Sequence, residues 1–333
     1  MSDFQARLQN FLDQNNQSTV VEQLTPDAST REYYRVHWQN GSAIACVYPE
    51  ANDPAAAAYA DVTELFLSQD LPVAQIYAMD LGSGVVIQED LGNIILRDVL
   101  IEAGSSERES LANAGISLIP RIQAATEAAV IKDSIAAKLR FDTEKLLWEL
   151  NFFKEHYFTT LRKSPLSADV NSAVEAEFIE LSKELEARAA VLCHRDFHAA
   201  NLMVDRNGRL RIIDHQDARI GSVTYDLVSF LLDRVTEPPP EAWLDEKRTF
   251  FLAQRAAVGL PELERKDFEY EFQLQAVQRC LKAVGTFSFQ SVNRGKTYFL
   301  PYIAPMFRIV LEELEDLDRF PVLRSLLNKE TRL

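Results

Sequence analysis

Long amphipathic segments dominate the later two thirds of the chain. Apolar residues recur at helical spacing over residues 107–127, 142–162 and 170–189, which predicts three long helices. A shorter segment of the same kind opens the chain. The apolar face of the opening segment consists of Phe4, Leu8, Phe11 and Leu12. The apolar face of the segment at residues 142–162 consists of Leu146, Leu147, Leu150, Phe153 and Tyr157.

A different pattern lies between the opening helix and residue 90. Residues 18–50 read as β structure, with Asn40-Gly41 as the signal of a two-residue hairpin. Residues 55–69 have helical composition and spacing, and two apolar stretches follow at 74–79 and 84–89. The pattern therefore predicts a small antiparallel sheet with one main helix.

After Asp90-Leu91-Gly92 the character of the chain changes. Three short strand-like pieces lie within residues 190–214, and Asn207-Gly208 joins the last two as a second hairpin. Beyond residue 224 the chain is helical again, and prolines interrupt it. We therefore predict an α+β, bilobal fold of the protein-kinase-like kind, with lobes at residues 1–90 and 91–333 and a hinge near 88–93.

Composition indicates the general class of protein but not its specific function. The content of 47% hydrophobic and 26% charged residues is typical of a globular protein, and no apolar run is long enough to span a bilayer. The opening residues do not resemble a signal peptide. The three cysteines are scattered, which indicates small core residues in a reducing compartment. We expect a cytoplasmic protein that is a monomer or a weak dimer.

The charge is strongly negative and unevenly distributed. The net charge is −15, and the first 131 residues contain no lysine and six arginines against eighteen acidic residues. Such a field repels nucleic acid and anionic membranes, so we expect neither as a partner. It does not repel a neutral sugar, and it would favour a cationic substrate. A charged surface that serves only solubility explains the excess equally well.

One segment carries specific chemistry, CHRDFHAANLMVDRNGRLRIIDHQDA at residues 193–218. It holds His194-Arg195-Asp196, then Asn201 five residues after the aspartate, and then Asp214 after an apolar strand. Kinases use this arrangement for phosphoryl transfer. Asp196 can orient an attacking hydroxyl and accept its proton, and the oxygens of Asn201 and Asp214 suit Mg²⁺.

These residues resemble the aminoglycoside phosphotransferase and choline kinase superfamily. His215-Gln216 follows Asp214 where protein kinases have Phe-Gly, which favours the small-molecule branch. The sequences at residues 25–36, 225–233 and 278–300 sharpen the resemblance. Together with HRDFHAANLM they look like the bacterial anomeric kinases that phosphorylate N-acetylmuramate and N-acetylglucosamine at C1 during cell-wall recycling.

The resemblance implies roles for further residues. The loop at residues 27–31 would replace a glycine-rich phosphate loop, and Gln88-Glu89-Asp90-Leu91 would be the hinge that meets adenine. Asp226 would be a structural carboxylate that holds the catalytic loop. Arg279 and Lys282 share a helical face and could meet a substrate carboxylate, or instead a solvated face or acidic neighbours. The implied nucleotide-binding residues are Ser29, Thr30, Arg31, Arg35, Glu89 and Leu91, and the implied substrate-binding residues are His198, Gln216, Asp217 and Arg279. His198 could equally be a loop histidine bonded to backbone.

The chain departs from the kinase pattern at two places. The third predicted strand lacks the lysine that protein kinases pair with the ATP phosphates, and the first lysine of the chain is Lys132. Either Arg31 or Arg35 replaces it, or backbone amides and Mg²⁺ hold the phosphates; both arginines could also be ordinary strand residues. Glu64 would then lack its usual ion-pair partner. Ala199-Ala200 stands where the family pattern has a cation.

The sequence therefore predicts an enzyme that transfers the γ-phosphate of ATP, with Mg²⁺, to the C1 hydroxyl of a sugar. N-acetylglucosamine and N-acetylmuramate are the expected substrates. An aminoglycoside or choline-type kinase remains an alternative, although the cations near residues 279–296 argue against a polyamine pocket. A catalytically inactive kinase fold that serves as a nucleotide-binding or scaffold protein is a third hypothesis, which rests on the absent lysine alone.

Overall fold

The computed structural model describes residues 3–24 and 30–331. Contacts between Cα atoms divide the chain into two compact units. Unit 1 comprises Met1–Arg108, Glu127–Ala136 and Ala199–Ala218, and unit 2 comprises Glu109–Thr126, Ala137–His198 and Arg219–Leu333. Unit 1 thus reaches beyond residue 90 and includes two later segments. The units are defined by contacts alone, so the lobe boundary near residue 90 stays a prediction.

Unit 1 is built around an antiparallel five-stranded sheet with the strand order β1-β2-β3-β5-β4. Its two faces follow from the alternation of side chains along each strand. Leu8, Phe11 and Leu12 of the first helix pack against one face, and Ala56 and Tyr59 of the second helix pack against the other. The elements of this part are α1 (Asp3–Gln14), β1 (Val21–Leu24), β2 (Glu32–Trp38), β3 (Gly41–Val47), α2 (Pro54–Ser68), β4 (Ile76–Asp80), β5 (Val85–Glu89) and α3 (Leu96–Glu102).

The first hairpin turns one residue earlier than predicted. Trp38 pairs with Gly41, so the turn residues are Gln39 and Asn40, and Gly41 opens β3. The register keeps Val36 and Trp38 on the buried face of the sheet. A shift by one residue would turn both side chains to the opposite face, so the core overrides the local turn signal.

The second hairpin carries part of the kinase-like motif in unit 1. Strands β7 (Leu202–Val204) and β8 (Leu210–Ile212) pair antiparallel, as predicted. Gly208 has φ +74° in the connecting loop, a conformation that favours glycine. The N–H of Ile213, immediately before Asp214, donates to the carbonyl of Asn201 at 3.1 Å. The hairpin therefore fixes the backbone of both predicted metal ligands.

Unit 2 is mostly helical, and the predicted long helices are present with shifted ends. The segment predicted at 142–162 is α-helical only over Thr143–Phe153 and continues as a π-helix over Lys154–Leu161. Within the described residues no helix is long and apolar enough to cross a membrane. Helices α4, α5 and α6 each contribute residues to both units. The helices are α4 (Ser105–Ala124), α5 (Thr126–Ile131), α6 (Ile135–Lys138), α7 (Thr143–Phe153), α8 (Ala168–Ala187), α9 (Tyr225–Leu232), α10 (Glu241–Ala257), α11 (Arg265–Asn293), α12 (Ile303–Leu317) and α13 (Pro321–Glu330).

The loop of Asp196 begins at the end of a short strand in unit 2. Strand β6 (Val191–Cys193) pairs antiparallel with β9 (Arg219–Gly221). Cys193 is buried beside this pairing, as are the other two cysteines of the chain, Cys46 and Cys280, and all three are free thiols. The prediction that the cysteines are core residues is thus confirmed.

Candidate active site

Asp226 holds the backbone of the loop that carries Asp196. The Asp226 carboxylate accepts the N–H of His194 at 2.6 Å and the N–H of Arg195 at 3.1 Å. Arg195 has φ +87°, which is unfavourable for a residue with a side chain and is typical of functional loops. Asp226 is fully buried at the first turn of α9. Burial is the largest of the effects on its pKa and raises that pKa. The predicted structural role of Asp226 is therefore confirmed.

Two cations of α11 contact the Asp196 carboxylate. Lys282 Nζ donates to Asp196 Oδ1 at 2.9 Å, and Arg279 Nη2 donates to the same oxygen at 3.3 Å. The side chain of Asp196 is 30% exposed. Burial alone would raise its pKa, but Lys282, Arg195 and Arg279 hold the pKa well below its usual range. Asp196 is therefore a carboxylate at neutral pH, and two cations of α11 contact its Oδ1.

Arg279 is occupied by protein groups rather than by open space. Besides Asp196, its Nη2 donates to the hydroxyl of Ser229 at 2.9 Å and lies 3.6 Å from Asp233 Oδ2. Its side chain is 6% exposed. The alternative of a solvated face for Arg279 and Lys282 is wrong, because both side chains turn inward to acidic groups.

His198 lies beside Asp233 in the same unit. Its Nε2 is 4.0 Å from Asp233 Oδ2, and its side chain is 13% exposed. Burial lowers the pKa of His198 to about 4, the attraction of Asp233 notwithstanding. His198 is therefore a neutral imidazole at pH 7, able to donate one hydrogen bond and accept another.

Asp214 is the centre of a polar group in unit 1. Arg31 Nη2 donates to Asp214 Oδ1 at 3.2 Å, and Gln216 Nε2 donates to the same oxygen at 2.9 Å. The Asp214 side chain is 41% exposed, and its backbone has φ +61°. In the described part of the chain, Oδ2 of Asp214 accepts no hydrogen bond. One oxygen is thus held by two donors, and the side chain is partly exposed.

The oxygen donors near Asp214 fit a Mg²⁺ ion. Among the residues that the structure describes, no group of three or more His, Cys, Asp or Glu side chains could hold a metal. Mg²⁺ does not need one, because one or two protein oxygens together with phosphates and water complete its octahedral shell. The open oxygen of Asp214 and the amide of Asn201 are donors of the kind that this ion prefers.

The two arginines proposed for the phosphates have different surroundings in unit 1. Arg31 is 16% exposed, stands over the rings of Tyr33 and Tyr48, and reaches Asp214. Arg35 Nε instead donates to Asp90 Oδ2 at 2.8 Å, and its Nη2 donates to Asn93 at 2.6 Å. Arg35 therefore fixes the predicted hinge, and Arg31 is the arginine that lies at the proposed metal ligand.

The predicted hinge residues have distinct contacts. The side chain of Glu89 is paired with Arg211 at 2.6 Å, and its N–H donates to the carbonyl of Gln75 at 2.8 Å. Leu91 is buried, and we find no acceptor for its N–H among the described residues. Of the remaining predicted residues in unit 1, Thr30 is exposed, Asp217 lies in a turn, and Ser29 falls outside the described residues.

One contact that fixes the segment after Asp214 could not be predicted from the sequence. The imidazole of His215 shares a 2.7 Å hydrogen bond with the hydroxyl of Thr63 on α2, and the ring stacks against Phe66. Glu64 on the same helix pairs with Lys132 at 3.0 Å. The first lysine of the chain is thus the partner of Glu64, in place of the strand lysine of protein kinases.

Comparison with known proteins agrees with this geometry. A sequence model described as the phosphotransferase enzyme family matches residues 20–287. The chain belongs to this family. It is therefore a phosphotransferase, an enzyme of the kinase type. The predictions of superfamily, fold class and enzyme type are confirmed.

Individual relatives and structures support the same assignment. The chain is 32% identical over 279 residues to the N-acetylmuramate/N-acetylglucosamine kinase of Neisseria meningitidis, covering 83% of this chain and 80% of that protein. The enzyme of the same name from Pseudomonas putida is 28% identical, covering 86% and 81%. Choline kinase LicA from Streptococcus pneumoniae has a similar fold, with a TM-score of 0.60, 14% identity, and coverage of 93% and 100%.

Proposed function

We propose that this phosphotransferase moves the γ-phosphate of ATP to the C1 hydroxyl of N-acetylglucosamine or N-acetylmuramate. The observation that carries the proposal is the name of its relatives: proteins called N-acetylmuramate/N-acetylglucosamine kinase match more than four fifths of this chain. ATP is the proposed co-substrate, and a solved structure with a similar fold, with a TM-score of 0.57 and 15% identity, is a streptomycin-ATP ternary complex. A role in cell-wall recycling fits these sugars.

Asp196 is the proposed base. Its carboxylate accepts a hydrogen bond from the sugar hydroxyl and orients an oxygen lone pair toward the γ-phosphate. It takes the proton as the new O–P bond forms and the bond from the γ-phosphorus to the bridging oxygen breaks, so that ADP leaves. The anomeric hydroxyl is more acidic than the other hydroxyls of a sugar, so a carboxylate of low pKa is a plausible partner for it. Lys282 and Arg279 contact Asp196 Oδ1, and the side chain is 30% exposed, so we propose that this carboxylate can meet the substrate hydroxyl.

In unit 1, Asn201 and Asp214 are the proposed ligands of Mg²⁺. When bound, the ion would neutralise charge on the β- and γ-phosphates. We propose that Arg31 contacts the phosphates as well, because its guanidinium is already placed beside Asp214. Gln216 donates to Asp214, so we propose that it orients this ligand as well as contacting substrate.

The adenine and substrate contacts follow from the same observations. The N–H of Leu91 and the carbonyl of Glu89 are the proposed partners of adenine. We propose the backbone groups because the N–H of Leu91 has no acceptor among the described residues and the side chain of Glu89 is paired with Arg211. Ser29 and Thr30 remain proposed phosphate contacts. His198 and Asp217 remain proposed sugar contacts. Arg279 is engaged with three protein groups, so we propose that it positions Asp196 in addition to any contact with the sugar.

The cations around Asp196 weigh against the alternative of a polyamine substrate. Lys282, Arg279 and Arg195 all lower the pKa of Asp196 by charge. An aminoglycoside or choline would bring a further positive charge into this environment, which like-charge repulsion disfavours. The acidic residues of the first 131 positions remain the one feature that favours such a substrate.

A panel of substrates separates these readings. Purified enzyme with ATP and Mg²⁺ is given N-acetylglucosamine, N-acetylmuramate, glucose, kanamycin or choline, and ADP release is measured. We expect turnover with the N-acetylated sugars and background rates with kanamycin and choline. Turnover with kanamycin or choline alone would overturn the proposal.

A further inference from the structure

Lys145 stands in an unfavourable place for a lysine. It lies in the first turn of α7, where the helix dipole disfavours positive charge. Its side chain is only 26% exposed, and its ammonium sits 4.1 Å from the ring centre of Trp148. Trp148 itself is 55% exposed. The two side chains thus form a cation–π pair whose aromatic member is largely open to solvent.

The protein itself satisfies this ammonium poorly. Its one acidic partner within the part of the chain that is described is Glu149, at 4.0 Å, and it donates no hydrogen bond there. Glu149 is 1% exposed, and its Oε2 already accepts the amide of Gln278 at 2.9 Å. Lys145 is therefore left with hydrogen-bonding capacity at the surface of unit 2.

Other cations crowd the same place. Burial lowers the pKa of Lys145 most, Glu149 raises it by attraction, and Arg195, Arg219 and Lys282 lower it further by repulsion. Lys282 is committed to Asp196, the proposed base. A lysine held among cations raises the free energy of the empty protein, and an anion that binds there relieves the repulsion.

We propose that Lys145 and Trp148 form a subsite for the carboxylate of an acidic N-acetyl sugar. The ammonium of Lys145 pairs with the carboxylate, and the exposed indole of Trp148 packs against the apolar face of the ligand. The inference rests on the proposed function, which it deepens by assigning the acidic group of N-acetylmuramate to particular side chains.

The chemistry of the two sugars fits this division of roles. N-acetylmuramate carries its carboxylate on a lactyl ether at O3, away from C1, whereas N-acetylglucosamine has no acidic group. Lys282 contacts Asp196, whereas no contact joins Lys145 to Asp196 among the described residues. Lys145 is thus available to a carboxylate that is separate from the reacting hydroxyl.

The test compares ligands that differ in one charge. Binding of N-acetylmuramate and of its methyl ester is measured by isothermal titration calorimetry, which needs no turnover. The proteins are the wild type, Lys145→Met, Lys145→Arg and the control Lys183→Met, in which an exposed lysine of α8 is changed. Thermal unfolding checks that each variant is folded.

We expect the wild type to bind the acid at least roughly tenfold more tightly than the ester, as a charge-assisted bond implies. In Lys145→Met the acid and the ester should bind with nearly equal affinity. Lys145→Arg and Lys183→Met should keep most of the preference for the acid. An unchanged ratio in a folded Lys145→Met protein would overturn the subsite, and so would a wild type that binds neither ligand. Selective binding without turnover of either sugar would instead overturn the proposed reaction and leave the subsite standing.

Discussion

The Asp196 carboxylate is held by neighbouring cations and is still partly exposed. Lys282 and Arg279 both contact Oδ1, and the side chain remains 30% exposed. This arrangement suits a group that must stay ionised and keep one orientation while a hydroxyl approaches.

Replacing this carboxylate should remove most of the catalysis. Asp196→Asn keeps the shape of the side chain but cannot take a proton, and we expect kcat to fall by roughly 10²–10⁴-fold, the usual contribution of a general base. Steady-state kinetics measure the loss, and nucleotide affinity and thermal unfolding serve as controls. Activity within about tenfold of the wild type, a change of only ~1.4 kcal/mol in the barrier, would sink the assignment.

The pH dependence of kcat should report the cation at Asp196. Lys282 lowers the pKa of Asp196, so Lys282→Met should raise that pKa. Protonated Asp196 cannot accept the hydroxyl proton, and the acidic limb of the kcat profile should therefore move to higher pH. The control Lys183→Met should keep the wild-type profile. A Lys282→Met limb that does not move, or moves to lower pH, would show that Asp196 does not control it.

The two arginines proposed to meet the nucleotide phosphates should differ in their effects. Arg31 reaches Asp214, whereas Arg35 is engaged with Asp90 and Asn93. We expect Arg31→Ala to lower kcat/KM for ATP. The activation free energy should rise by about 1.5 kcal/mol or more, as for a lost charge-assisted bond. Arg35→Ala should have the smaller effect, and equal effects of the two substitutions would reject the distinction.

At the scale of elements, the loop 194–198 depends on α9. Two N–H groups at the start of this loop, one buried and one partly buried, donate to Asp226, and they would lose their acceptor in Asp226→Ala. Each orphaned donor costs about 1–3 kcal/mol, so we expect the free energy of unfolding to fall by about 2 kcal/mol or more. Asp226→Asn, which keeps one acceptor oxygen, should lose less. Urea denaturation measures both, and an unchanged midpoint in the alanine variant would contradict the role.

The sequence predicted those elements whose signal is local. The five strands, the helix between them and the hairpin after Asn201 follow from alternation, helical spacing and turn residues, and the structure contains them. The π-helix over Lys154–Leu161 was missed because the apolar spacing of residues 142–162 fits a continuous α-helix. The hairpin turn at Gln39 and Asn40 was displaced because the buried register decided it.

Contacts between distant residues were beyond this kind of reasoning. Asp196, Asn201 and Asp214 stand in one motif and could be named from it. The hydrogen bond between Thr63 and His215 joins positions 152 residues apart, and neither local sequence predicts it. The ion pair of Lys282 with Asp196 was equally hidden, since helical spacing shows only that Lys282 shares a face with Arg279.

At the scale of the whole molecule, the charge of the chain and the charge near the proposed base have opposite signs. The net charge is −15, yet Asp196 is surrounded by cations from α11 and from its own loop. Local charge governs binding at short range, because screening by salt limits distant charges to about 10 Å or less at physiological ionic strength. An anionic sugar or nucleotide is therefore compatible with an acidic protein.

The position of phosphate on the product tests the account most directly. The enzyme is incubated with ATP, Mg²⁺ and N-acetylglucosamine or N-acetylmuramate, and the product is examined by proton NMR with and without phosphorus decoupling. We predict that the anomeric proton shows an additional splitting that disappears on decoupling, because phosphate is attached at C1. Coupling of phosphorus to the C6 protons instead, or phosphorylation of neither sugar while kanamycin or choline is turned over, would contradict it.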